Sequence, residues 1–165
     1  MFRTHHPARS VAVALAAVLL LAAAGPLAAA EKTESHTDGI AWHSYAEGLK
    51  LAAETGKPLL VAFHADWCKY CRKMERETFT DSDVIRRINR EFVPVSVDVD
   101  REKDVAARYN VQSLPTIWFL QKDGKPIDYL PGYVEAPFLR QVLDYLASGS
   151  YATMTFQQYL EEHAS

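Results

Sequence analysis

An α/β domain is the architecture this sequence predicts: a mixed sheet covered by helices, with a short helical extension at the C-terminus. Three observations carry it. Apolar positions at helical spacing alternate with short apolar runs of strand length. The last two strand-like runs flank Lys122-Asp123-Gly124-Lys125, whose Asp-Gly marks a hairpin turn. Finally, the Cys-x-x-Cys at Cys68 and Cys71 lies where a strand gives way to a helix, and it holds the only two cysteines among 165 residues.

Each element has its own signal. From Trp42 to Thr55 the residues Trp42, Tyr45, Ala46, Leu49, Ala52 and Ala53 recur at helical spacing, and Gly56 with Pro58 supplies the stop. Pro58 to Phe63 is an apolar run suited to a buried parallel strand. Good helix formers fill Cys71 to Glu77. A second helical stretch, Asp83 to Arg90, places Val84, Ile85 and Ile88 on one face. Phe92 to Val99 alternates, with Val93, Val95, Val97 and Val99 on one side, and Pro94 argues for a place near the sheet edge because proline cannot donate to the ladder. A short helix over Glu102 to Tyr109 precedes the strands Thr116 to Leu120 and Ile127 to Leu130. Ala136 to Ala147 is amphipathic through Phe138, Leu139, Val142, Leu143 and Leu146. The order helix, strand, helix, strand, helix, strand, strand, helix makes parallel units that lead into a terminal hairpin.

The ends differ from this body. Residues 1–30 have the form of a secretory signal: Arg3 and Arg9, then fourteen apolar residues from Val11 to Ala24, then Ala28-Ala29-Ala30 as a cleavage site. Fourteen residues fall short of the roughly 20 needed to span a bilayer, so an uncleaved anchor is the lesser alternative. Residues 31–41 form a flexible polar lead-in, residues 42–148 the domain, and residues 149–165 the extension. In that extension Thr155 and Gln158 fit a capping box, and Phe156, Tyr159 and Leu160 share one face of a short docked helix. Cleavage after Ala30 leaves 16 basic against 21 acidic residues, a balance of −5. Such a surface has no basic stripe for nucleic acid and no polybasic membrane segment, and a monomer is expected.

The cysteine pair calls for chemistry more than for a structural staple. A disulfide closing so short a loop constrains little chain, and stabilisation in the entropic account grows with loop length. At a strand-to-helix junction, free N–H groups and the positive end of the helix dipole favour a thiolate. Cys68 is therefore expected to be the exposed nucleophile and Cys71 the buried partner. An exported protein with this one redox-type pair acts on the thiols of other proteins.

These residues carry a family resemblance. The strand Leu59 to Phe63, the Trp67-Cys68-Lys69-Tyr70-Cys71 motif, Leu114-Pro115-Thr116 ahead of a strand, and Gly132 before the last helix resemble the thioredoxin fold over about Trp42 to Ala147. Ala65-Asp66-Trp67-Cys68 followed by Glu75, Thr78-Phe79 and Asp81-Ser82-Asp83-Val84 is most similar to the periplasmic C-terminal domain of the transmembrane thiol reductase DsbD and related exported thioredoxins. The resemblance implies that Pro115 is cis and lies beside the cysteines, and that the backbone near Leu114, with Thr116 following, pairs with an extended substrate segment. It implies a contact surface at Trp67. Two departures stand out. Lys69-Tyr70 replaces the Gly-Pro of thioredoxins proper, and Ala62 stands where they carry a buried Asp. Glu75, four residues after Cys71 on the same helical face, matches a glutamate of the DsbD-type domain and is the candidate substitute. A surface pair with Arg72 is its equally weighted alternative.

The expected reaction is thiol–disulfide exchange through Cys68 and Cys71, which alternate between dithiol and disulfide without a cofactor. The resemblance implies reduction of disulfide-containing exported proteins, with electrons from a membrane thiol transporter of the DsbD type, in the periplasm. An oxidase or isomerase is the alternative within the same chemistry. From another class, His64, Cys68 and Cys71 could ligate copper or zinc in a carrier, although no second Cys-x-x-Cys supplies the four ligands of a structural zinc site, so no metal site is assigned.

Overall fold

The computed structural model describes residues 39–163, so the signal read in residues 1–30 lies outside the described residues. Four strands form one sheet in the order β2-β1-β3-β4. β1 (Leu59–His64) is central, and it runs parallel to β2 (Val93–Asp98) and antiparallel to β3 (Thr116–Leu120). β4 (Pro126–Pro131) closes the hairpin expected around Asp123-Gly124, and Gly124 takes the positive φ of 81° that this turn requires. β2 is an edge strand, as Pro94 suggests.

Strand alternation divides the apolar residues between two layers. Leu60, Ala62, Ile117 and Phe119 face α2 (Lys69–Glu77), α3 (Ser82–Glu91) and α5 (Ala136–Ala147), where Met74, Ile88, Leu139 and Leu143 are fully buried. Leu59, Val61, Phe63, Val93, Val95 and Val97 face the other way, toward Tyr45 and Ala52 of α1 (Tyr45–Thr55) and Tyr109 at the end of α4 (Lys103–Arg108). Each such large side chain contributes about 1.5–3 kcal/mol on burial, so these two layers supply the main driving force. Arg87 grips Asp144 through two hydrogen bonds of 2.6 and 3.1 Å and ties α3 to α5.

Three local outcomes differ from the sequence expectation. Two helices, α2 and α3, fill the first crossover where the stated order has one. The first helix starts at Tyr45, because Ser44 caps it and forms a capping box with Glu47. Trp42 therefore lies ahead of the helix and packs edge-on against Phe79 at 5.2 Å. The stretch assigned to the flexible lead-in is held at its described end: Ala41 N–H donates to Asn89 Oδ1 at 3.0 Å, and Ile40 packs on the core. At the other terminus α6 (Phe156–Glu162) has the expected capping box, and Phe156 and Tyr159 pack against Tyr145 with their rings tilted.

Candidate active site

β1 delivers its C-terminal end to the site, and the chain turns through Ala65 to Trp67 before α2 begins. Cys68 is the N-cap of α2, and its Sγ accepts the Cys71 N–H at 3.1 Å. The capping position that usually falls to a serine or aspartate oxygen is filled here by sulfur. Cys68 and Cys71 are joined as a disulfide with Cα atoms 5.3 Å apart.

The exposures of the two cysteines correct the sequence expectation. Cys68 is 5% exposed and Cys71 3%, so both are buried in the oxidised pair. The reason is packing: Ala65, Val99 and Leu114 close around the two sulfurs. The exposed groups are their neighbours Trp67, at 66%, and Tyr70, at 58%. Trp67 is thus an outward platform and not a core residue, and its Nε1–H donates to Asp100 Oδ2 at 2.8 Å.

The second half of the site arrives with β3. The Leu114–Pro115 peptide bond is cis, Pro115 is buried, and Leu114 packs against the cysteines. Gly132 N–H donates to Pro115 O at 2.7 Å, and Thr116 Oγ1–H donates to Ser113 O at 2.8 Å, so this loop is fixed from both sides. Thr78, fully buried at the end of α2, donates to Val134 O at 2.6 Å and ties the active-site helix to the segment that precedes α5.

Glu75 is exposed, and it borders a cavity of about 300 Å³ together with Cys71, Ala62, His64, Ser96 and Pro115. Arg72, its proposed surface partner, instead donates to Asp66 O at 2.5 Å. His64 Nε2 lies 2.9 Å from Ser96 Oγ. Among the described residues no three His, Cys, Asp or Glu side chains are grouped so as to hold a metal ion.

The structure thus brings together Trp67, Cys68, Cys71, Leu114, Pro115, Thr116 and, at the cavity, Glu75. Sequence reasoning missed Asp100 and Ser96. Ser96 carried a signal, since it is a polar residue on the strand face opposite Val93, Val95 and Val97. Asp100 carried none, because only the folded chain sets it against Trp67.

Comparison with known proteins agrees with this geometry. Residues 45–147 match the family described as the thioredoxin-like domain. The thiol:disulfide interchange protein DsbD of Vibrio vulnificus is 35% identical over 101 residues, which cover 57% of this chain and 17% of that protein. The chain therefore spans only about a sixth of the length of that relative. A thioredoxin-like protein of Synechocystis is 32% identical over 99 residues, covering 60% of this chain and 90% of its own length. Among solved structures, a thioredoxin from Thermus thermophilus superposes with a TM-score of 0.61 at 30% identity, covering 66% of this chain and 87% of that one. With the matched segment running from the first turn of α1 to the last residue of α5, and with the Cys68–Cys71 pair at the head of α2, this chain belongs to the thioredoxin-like domain family.

Proposed function

We propose that this protein is an exported thiol–disulfide oxidoreductase that reduces substrate protein disulfides, with electrons supplied by a membrane thiol transporter of the DsbD type. The observation that carries the reading is the Cys68–Cys71 pair at the N-terminus of α2, with Leu114 packed on it and the cis Leu114–Pro115 bond alongside. The similarity to a thiol:disulfide interchange protein supports exchange at this pair, and the motif resemblance to DsbD-type domains implies the reductive direction and the export.

The cycle follows from this placement. Cys68 thiolate, favoured by the helix N-terminus and the Cys71 N–H, attacks a substrate disulfide and forms a mixed disulfide. Cys71 then attacks Cys68 Sγ, which frees the reduced substrate and closes the ring. Trp67 and the backbone beside Leu114 receive the substrate, with Pro115 and Thr116 shaping that edge of the site. Glu75 assists proton transfer at Cys71 from the border of the cavity that Cys71 also lines, carrying the released proton on to solvent.

The test is the reduction potential of the Cys68–Cys71 couple, equilibrated against a series of glutathione ratios. The expected value is nearer thioredoxin, about −270 mV, than the oxidant DsbA, about −120 mV. A value more oxidising than about −180 mV, that of protein disulfide isomerase, overturns the reductive direction. In parallel, Cys71→Ser should accumulate mixed disulfides through Cys68, since attack needs no second thiol and resolution does.

A further inference from the structure

We infer that His64 is a proton acceptor for Cys71 across the cavity that Ala62 leaves open. The inference rests on exchange by Cys68 and Cys71, and it holds for either direction of that exchange.

Three placements support it. First, His64 and Ala62 are two apart on β1, so they point to the same face of the sheet. Second, the parallel register sets Ser96 opposite Ala62 and Asp98 opposite His64, which carries a hydroxyl and a carboxylate to that face. Third, the cavity of about 300 Å³ has His64, Ser96, Cys71 and Glu75 on its border, and Ala62 contributes only a methyl group there. A longer side chain at Ala62 would fill this room. Ile40, Trp42, Phe63, Met74, Phe79 and Ile117 make the rest of the lining apolar, so water in this space is held along the border that the imidazole, hydroxyl, carboxylate and Cys71 sulfur supply.

The charged surroundings leave His64 available for this work. Glu75 and Cys71 reach the cavity from α2. On β2, Asp98 is engaged by Arg101 at 3.2 Å and by the Asp100 N–H at 2.9 Å. From the β3 side Thr116 borders the cavity, with its hydroxyl donated to Ser113 O, and the residues from 39 to 42 that reach it bring no titratable side chain. In the tautomer whose Nε2–H donates to Ser96 Oγ, the ring keeps Nδ1 as its acceptor. Once protonated it keeps the same bond, because the hydroxyl oxygen still accepts.

In the resolving step the Cys71 thiol passes its proton through water to the imidazole. Cys71 thiolate then attacks Cys68 Sγ, the Cys68–Cys71 bond forms, and the Cys68–substrate bond breaks. The substrate sulfur leaves with the electron pair and takes a proton from solvent. The dithiol is oxidised by two electrons and the substrate disulfide is reduced by the same two.

The test uses the reduced full chain mixed rapidly with the aromatic disulfide dithiobis-nitrobenzoate. One coloured thiolate is released when Cys68 attacks, and a second when Cys71 displaces the group held on Cys68. The second phase should climb with pH through the window of about 5 to 8, where imidazoles change charge, and then level off. His64→Gln should raise the ratio of first-phase to second-phase rate by about 10- to 100-fold at neutral pH. It should also remove that climb, leaving one directed toward the free-thiol value of about 8.5. Ser96→Ala guards against a simple folding effect: the climb should persist but move to lower pH, because the charged ring loses its acceptor. Glu75→Gln should leave the climb in place. A climb unmoved in both His64→Gln and Ser96→Ala, or abolished by Glu75→Gln alone, overturns the proposal. Absence of a first phase in the unaltered protein overturns the exchange chemistry itself, and that result is read before any substitution.

Discussion

Cys68 occupies the residue position at which the helix and the proposed chemistry both begin, since its sulfur caps α2 and is also the atom proposed to attack the substrate disulfide. That much is legible in a Cys-x-x-Cys behind an apolar strand. What surrounds it is less so. Trp67 could equally be core by composition, and only the turn after β1 sends it outward onto Asp100. The near-equal burial of the two cysteines escapes the sequence because Val99 and Leu114, distant in the chain, close the site. Of the two groups expected to pair on the surface, Arg72 donates to Asp66 O, and Glu75 borders the cavity that Cys71 also lines. Glu75→Gln is therefore expected to slow turnover with a disulfide substrate without removing its rise with pH, with the circular dichroism spectrum unchanged. A turnover rate equal to the parent's across the pH range would return Glu75 to an ordinary surface role.

Among the elements, boundaries were harder to read than existence. Trp42 fits the apolar period of α1, yet the cap at Ser44 decides where the helix starts, and a capping box outweighs one more apolar position. The split of the first crossover into α2 and α3 follows from another cap, Asp81, whose Oδ1 accepts the N–H groups of Asp83 and Val84. α1 also contains a glycine that helix propensity alone would replace. Gly48 is buried against β2, and a Cβ there would lie 2.2 Å from Val95 Cγ2. Alanine gains about 0.5–1 kcal/mol from helix propensity, whereas overpacking against a stiff, fully buried valine costs about 1–3 kcal/mol. Gly48→Ala should therefore lower stability, read as a reduced urea midpoint with an unchanged slope. A raised midpoint would mean that α1 slides outward freely.

At the scale of the whole molecule, the edge position of β2 and the single face that holds its valines follow from Pro94 and from alternation, both present in the sequence. The aromatic stack behind the sheet does not. Tyr109 sits 5.7 Å from Phe63 and 5.5 Å from Trp118, and its hydroxyl meets that of Tyr45 at 2.7 Å. Burial first, and then the bond to Tyr45, holds its phenol well above the ordinary tyrosine range. The folded protein thus resists an ionisation that the unfolded chain undergoes near pH 10, so stability is intact below about pH 10 and declines as pH rises beyond it. Urea midpoints measured upward from about pH 8 should fall on the alkaline side, and Tyr109→Phe should flatten that fall. An equal fall in both proteins would place the alkaline sensitivity elsewhere. The prolines of the sheet have a consequence of another kind. Pro94 lies on one outer strand, and Pro126 and Pro131 bound the other. Each removes an N–H from a rim where a strand of another molecule would have to bond. Both rims are therefore poor templates for recruiting further strands, and His43 already bonds the β2 rim at Pro94 and Ser96, which together guard against edge-to-edge aggregation.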